Sequence, residues 1–332
     1  MPGRFRIGVV GTGWIGQDHL ADLSTRDNID VVAVCDVDAA VSQQTAAKYA
    51  ALPYTDAGDM FASSPLDAVW VCTPPQFHVD PAVEAMRRGI PVYLEKPIAR
   101  SLDEARQICE IAAQTGVVCA VGYQWHSLEL LDTLRGELAD QRVAALFGQS
   151  IGPTAARTWF LHQSEGGGNL LERGSHHLDL ARTIGGEVAA ILVVASSVRL
   201  QRGNGAEQAL DADIDDALTI VLRYAHGATA TISIAWSLEG APSFYGLDVI
   251  AERGAYKIEL DPAFVLTGTT NGHAVKAEGT AAFRRSNDRF LEAVASGDPA
   301  SVPCTPDDAR GTLALALAGE HSLATGEWVD VS

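Results

Sequence analysis

From residue 5 to about residue 121, short apolar runs alternate with segments of helical period, the pattern of a parallel sheet covered by helices on both faces. Strands are expected at 5–10, 31–35, 67–72, 91–94 and 117–121. Between them, Val79, Ala82, Val83 and Met86 form one helical stripe, and Leu102, Ala105, Ile108 and Ala112 form another behind a Ser101 N-cap. After Gly122 the texture changes. A glycine-rich helical stretch near 166–185 is followed by long segments of alternating polarity: in 228–236, Thr229, Thr231 and Ser233 point one way while Ala230, Ile232, Ile234 and Trp236 point the other. Leu218, Ile220, Leu222 and Tyr224 make a similar stripe, with turns expected at His226-Gly227 and Arg253-Gly254. A closing helix opens at Thr305-Pro306-Asp307-Asp308, an N-cap followed by proline and first-turn acids.

Composition narrows the function more than the fold. The 332 residues are 47% hydrophobic and 20% charged, enough for a sizeable core and about two domains. A formal net charge of −18 opposes attraction to phosphate backbones or anionic lipid, so neither nucleic acid nor a membrane surface is an expected partner. The residues from Met1 to Arg6 run directly into the apolar segment Ile7 to Val10 without a signal peptide, and no apolar run reaches the length of a membrane span; the cytoplasm is the expected location. Cys35, Cys72, Cys109, Cys119 and Cys304 contain no CxxC pair and read as reduced packing residues.

Gly11-Thr12-Gly13-Trp14-Ile15-Gly16 follows an expected strand and precedes an expected helix, the context a dinucleotide fingerprint requires. Gly11 permits the tight turn, Gly13 lets backbone approach a pyrophosphate, and Gly16 lets helix and strand pack closely, while the helix N-terminus supplies N–H donors. Asp36 stands twenty residues after Gly16 at the end of the second strand, where a carboxylate accepts hydrogen bonds from an adenosine ribose. It repels a 2′-phosphate, and Val37 and Asp38 offer no cation to neutralise one, so NAD is expected over NADP. Asp38 reads as a helix N-cap.

Two further strand ends carry Thr73-Pro74-Pro75-Gln76-Phe77-His78 and Glu95-Lys96-Pro97, at the sheet edge where ligands lie in open α/β folds. The cofactor-binding candidates are therefore Gly11, Gly13, Trp14, Ile15, Gly16, Asp36, Thr73, Pro74, His78, Glu95 and Lys96. Lys96 reads either as a solvated surface residue or, in a cleft, as an ammonium that binds a reacting oxygen. In the segment 166–179, GGGNLLERGSHHLD, helical spacings of four and three put Glu172, His176 and Asp179 on one face, with Gly174 relieving crowding. That face reads as a solvated polar surface or as a site. No metal is expected, because a nicotinamide hydride acceptor already explains one acid–base group.

Together, GTGWIG with Asp36, TPPQFH, EKP and the glycine-rich His segment resemble the glucose-fructose oxidoreductase and inositol dehydrogenase (Gfo/Idh/MocA) family over essentially the whole chain. The resemblance implies an α/β chain with an N-terminal Rossmann domain at 1–122, a doubly wound parallel sheet that binds NAD. It also implies an α+β domain at 123–332 with a large, mostly antiparallel open sheet for substrate binding and oligomerisation, as a homodimer or homotetramer. Lys96 then sits at the reaction centre, His176 transfers the proton, and Glu172, where many members carry Asp, is a catalytic or substrate-orienting group. Asp179, Tyr123, Gln124, Trp125 and Trp159 join Lys96, Glu172 and His176 as substrate-binding candidates, while His177 leaves open which imidazole is used. The expected function is hydride transfer between NAD(H) and a secondary alcohol or ketone of a sugar, cyclitol or related polyol. The alternative is a dinucleotide-binding sensor or scaffold without turnover, since fold does not dictate function.

Overall fold

The computed structural model describes residues 4–331 except 154–160, 164–167, 198–211, 238–242, 262 and 281. Residues divide into two compact units, 1–124 with 283–310, and 125–282 with 311–332.

In the first unit the strands β1 (Phe5–Val10), β2 (Ile29–Cys35), β3 (Leu52–Tyr54), β4 (Ala68–Val71), β5 (Val92–Leu94) and β6 (Cys119–Val121) form a parallel sheet in the order β3-β2-β1-β4-β5-β6. That order reverses direction at β1, which creates the crevice where doubly wound sheets bind dinucleotides. Helices α1 (Trp14–Leu23), α2 (Ala39–Tyr49), α3 (Ala57–Ser63), α4 (Val79–Arg87) and α5 (Leu102–Thr115) connect the strands. Helix α5 begins with a capping box in which Ser101 and Glu104 satisfy each other's backbone N–H groups, and it ends at Gly116 in the left-handed region. Five of the six strands and both helical stripes lie where the apolar pattern puts them. The missing strand, β3, is three residues long, sits at the sheet edge and contains Pro53, so it carries neither period nor apolar run.

The chain returns to this unit late. Helix Ala282–Ser296 places Phe290, Leu291 and Ala293 in the same core as Ile7, Val9, Leu20 and Trp70, with the Phe290 ring 5.1 Å from Trp70 and 5.6 Å from Tyr93. A division of the sequence at 122 misses this return, because an amphipathic helix does not state which core its apolar face joins.

The second unit is built on a nine-stranded sheet. Its strands are β7 (Val143–Pro153), β8 (Val188–Ser196), β9 (Ala217–Tyr224), β10 (Thr229–Ser237), β11 (Phe244–Ala251), β12 (Gly254–Asp261), β13 (Val265–Thr270), β14 (His273–Glu278) and β15 (Val329–Asp330), in the order β14-β13-β12-β11-β7-β10-β9-β8-β15. Every neighbouring pair is antiparallel except β10 with β7. The alternation of β9 and β10 is realised in burial: Leu218, Ile220, Leu222, Ala230, Ile232 and Ile234 are buried, whereas Thr219, Thr229 and Thr231 are exposed. The unit also contains α6 (Glu129–Leu138), α7 (Ser175–Gly185) and most of helix Pro306–Thr325, whose first turn Thr305 and Asp308 cap reciprocally. Among the described residues no helix is long and apolar enough to cross a membrane.

Candidate active site

The first unit carries the cofactor turn. Gly11 has φ +83°, and a Cβ there would lie 2.7 Å from the backbone of Cys72 and Thr73, so the β1–α1 turn presses directly on the end of β4. A Cβ at Gly16 would overlap the Gly11 carbonyl oxygen, which makes glycine the condition for α1 to pack on the turn. At Gly13 a Cβ would meet nothing within 4 Å among the described residues. Gly13 is also the N-cap of α1 and has no side chain to occupy the helix's first N–H groups, and the first turn holds no acid. An open, uncapped helix start of this kind fits a pyrophosphate. Trp14 is 59% exposed at that helix start, whereas Ile15 packs partly into the core.

Asp36 follows β2 and is held in place. Its Oδ2 accepts hydrogen bonds from Thr12 N and Thr12 Oγ1, both at 3.0 Å, and its Oδ1 accepts one from Asp38 N at 3.1 Å. Asp38 caps α2 by accepting from Ala40 N and Val41 N. Val37 is 93% exposed, leaving no cation in the position that would receive a 2′-phosphate.

The two later loops divide into surface and support. Thr73 is half-buried and donates to Phe77 O, and Pro74 is exposed. His78 is buried and bridges Thr73 O at 2.8 Å and Pro97 O at 2.9 Å; burial pushes its pKa down. Its ring ties one loop to the other. Glu95 is likewise turned inward: its Oε1 lies 2.9 Å from His19 Nε2 and its Oε2 accepts from Lys96 N at 3.0 Å. Lys96 itself is half-buried at the end of β5. After β6, Tyr123 is buried, while Gln124 remains half-buried. The thiols of Cys35 and Cys119 are pushed up to about 12 by burial.

In the second unit the polar helix departs from the expected register. Leu170–Gly174 is a π-helical turn that runs into α7. Such a turn closes i→i+5 bonds and widens the helix, so Glu172 is offset from the line that straight α-helical spacing would draw through His176 and Asp179. Glu172 and His176 are half-buried, and Asp179 is buried. The Asp179 carboxylate accepts from Thr312 Oγ1 at 2.9 Å and lies 2.7 Å from His126 Nε2, which braces it internally. A Cβ at Gly174 would stand 2.8 Å from Ile234 Cδ1, which explains glycine where the turn crosses β10.

The two imidazoles separate cleanly. His177 Nε2 lies 2.9 Å from the Gln149 carbonyl, and burial depresses the ring's pKa to about 4. His177 is thus a neutral clamp on β7. His176 lies half-buried with its ring 5.0 Å from Trp125. Trp159, Gly166 and Gly167 lie outside the described residues.

Sequence reasoning missed Arg173. Its guanidinium is buried, donates to Ser150 Oγ at 2.9 Å and Tyr245 Oη at 2.6 Å, and stacks over Trp236 at 4.3 Å; burial pushes its pKa down. No linear signal marks it, because its partners come from three strands distant in sequence. His19, His126 and Asn287 were missed for the same reason.

Residues 5–123 match an oxidoreductase family with an NAD-binding Rossmann fold, and residues 136–257 match the GFO/IDH/MocA C-terminal domain. The chain is similar to the inositol 2-dehydrogenase of Rhizobium meliloti (strain 1021), 25% identical over 343 residues that cover 98% of this chain and 99% of the relative. It is also similar to the rhizopine catabolism protein MocA of Rhizobium meliloti, 31% identical over 200 residues; that match covers 58% of this chain and 61% of MocA, less than two thirds of its length. The fold is that of a levoglucosan dehydrogenase solved in complex with NADH, with a TM-score of 0.85, 18% identity and 99% of each chain covered.

Proposed function

The chain belongs to the GFO/IDH/MocA oxidoreductase family, and from that premise we propose that it is an NAD-dependent dehydrogenase acting on a secondary alcohol of a sugar, cyclitol or related polyol, or on the corresponding ketone. The observation that carries the reading is the cofactor turn, where an open Gly13, an uncapped α1 and a pinned Asp36 together match an NAD molecule. Bound NAD supplies a hydride acceptor. The chain's own residues supply the rest: the helix start of Trp14 and Ile15 holds the pyrophosphate, Asp36 holds the ribose, and Thr73 and Pro74 form the loop that His78 braces.

His176 takes the proton of the substrate hydroxyl, a role suited to a half-buried imidazole and unsuited to the clamped His177. Lys96 donates a hydrogen bond to the reacting oxygen and stabilises alkoxide character there. Glu172 orients the substrate, and Gln124 and Trp125 contribute to its recognition. A sensor without turnover needs neither a general base nor an ammonium, so the enzymatic reading is preferred.

The protein works in the cytoplasm as a homodimer or homotetramer. The solvent face of the nine-stranded sheet supports self-association: it exposes Phe147, which pairs with Thr231 and Asp248 across the strands, and Val194, which pairs with Thr219. Neither nucleic acid nor membrane is a partner in this reading. The test is a screen of inositols, pyranoses, anhydrosugars and sugar acids with NAD and NADP, followed by nicotinamide absorbance. Turnover of one polyol class that His176→Ala abolishes supports the reading, and NAD binding without turnover on any class refutes it in favour of a sensor.

A further inference from the structure

Beneath Lys96 lies a buried polar chain that the proposed chemistry does not use. His19 on α1 is fully buried, its ring packed 5.1 Å from Tyr93 and 4.5 Å from Phe283. Its Nδ1 lies 3.0 Å from Asn287 Oδ1, and its Nε2 lies 2.9 Å from Glu95 Oε1. Proton placement follows from the neighbours. Trp70 Nε1 can only donate, and it lies 2.9 Å from the same Asn287 Oδ1, while Asn287 Nδ2 donates to Asp22 at 2.8 Å. Asn287 Oδ1 is therefore an acceptor, and His19 Nδ1 carries a hydrogen.

The remaining contact, His19 Nε2 to Glu95 Oε1, then holds one proton. Imidazolium with carboxylate, or imidazole with carboxylic acid, are the two ways to write it, and the pair is net neutral in both. The other Glu95 oxygen accepts from Lys96 N. Glu95 also packs against Gly122, where a Cβ would stand 3.1 Å from its carboxyl group. Further charge sits at one remove, where Asp22 is paired with Arg26 at 2.6 Å. Cys72, Tyr93 and His78 are the other titratable groups near Glu95.

We propose that His19 and Glu95 are positioning residues that act as one sealed, neutral unit: Glu95 holds Lys96 by its backbone amide, and His19 keeps Glu95 from acting as a bare negative charge on the residue next to Lys96. An uncompensated carboxylate one residue from Lys96 would add an attraction on the ammonium that competes with a substrate oxygen, whereas the shared proton cancels that attraction. This inference rests on the role assigned to Lys96 under the proposed function.

Charge reversal of the effect tests it. In the NAD-loaded protein, His19→Gln removes the imidazole that shares the proton with Glu95 and is expected to lower kcat on the order of ten- to hundred-fold, the effect of one unit charge at several ångströms under an effective dielectric of about 20. The double variant His19→Gln/Glu95→Gln restores neutrality and is expected to recover most of that loss. A purely structural role makes the double variant no better than the single one, and that outcome overturns the proposal. Proton–nitrogen NMR of histidine-labelled holoprotein decides the pair without turnover, including the case in which His19→Gln does not fold. A downfield proton assigned to the His19 ring is expected in the wild type and lost in Glu95→Gln; its absence from the wild type also overturns the proposal. If no polyol is turned over, the proposed function fails while this spectrum still reports on the pair.

Discussion

Replacing Asp36 with Asn removes one negative charge while keeping the side chain's size and one oxygen to accept from Thr12. In the wild type that carboxylate is fixed by Thr12 N, Thr12 Oγ1 and Asp38 N at 3.0–3.1 Å, so it cannot swing away from a 2′-phosphate. Two unit charges about 4 Å apart repel by about 1 kcal/mol at the dielectric of water and about 4 kcal/mol at an effective dielectric of about 20. Asp36 is half-buried, between those limits, and a phosphate monoester carries more than one charge near neutral pH. The expected penalty against NADP is therefore about 2–4 kcal/mol, or roughly 30- to 10³-fold in Kd. Calorimetric titration of both cofactors should show that preference in the wild type and its collapse to within about tenfold in Asp36→Asn. Adding Arg at the exposed Val37 position, with Ser at 36, should narrow or reverse it by supplying a cation for the phosphate. High salt should reduce the wild-type discrimination, as expected of a partly exposed charge. A wild-type protein that prefers NADP, or an Asp36→Asn variant with unchanged Tm and an unchanged cofactor ratio, would refute the electrostatic reasoning.

Four other outcomes are expected. His176→Ala should lower kcat by roughly 10² to 10⁴ fold with little change in NAD Kd, whereas His177→Ala should instead lower Tm; the reverse pattern would exchange the two assignments. Because burial holds His177 near pH 4 against 6.5 for a free ring, the unfolded chain binds its proton first as pH falls; stability should drop by about 3 kcal/mol between pH 6.5 and 4, and urea midpoints across that window should flatten in His177→Asn. Gly16→Ala forces a methyl into the Gly11 carbonyl and should abolish measurable NAD binding while destabilising the first unit by about 1–3 kcal/mol or more, read by calorimetry and thermal melting; retained affinity would mean the turn yields more than its geometry indicates. Light scattering should give a dimer or tetramer mass, and Phe147→Asp on the sheet's solvent face should reduce it; a wild-type monomer at micromolar concentration would remove that face from the assembly.

Local patterns determined a good deal of this protein without any coordinates. The period of two in β9 and β10, the helical stripes of α4 and α5, the caps at Ser101, Asp38 and Thr305, and the three glycines of the first turn each depend on near neighbours in the chain, so the sequence displays them. The choice between side chains that look alike in one dimension depended on packing. Only the fold turned His177 to the Gln149 carbonyl and left His176 half-exposed. It also inserted a π turn that separates Glu172 from Asp179, and sealed Asp179 between His126 and Thr312. Helix Ala282–Ser296 likewise delivers Asn287 and Phe290 to strands that lie some two hundred residues earlier. Burial, proton placement and charge compensation arise from groups brought together across such separations. No local period records them, and tertiary structure alone fixes which polar side chains meet solvent and which serve as internal struts.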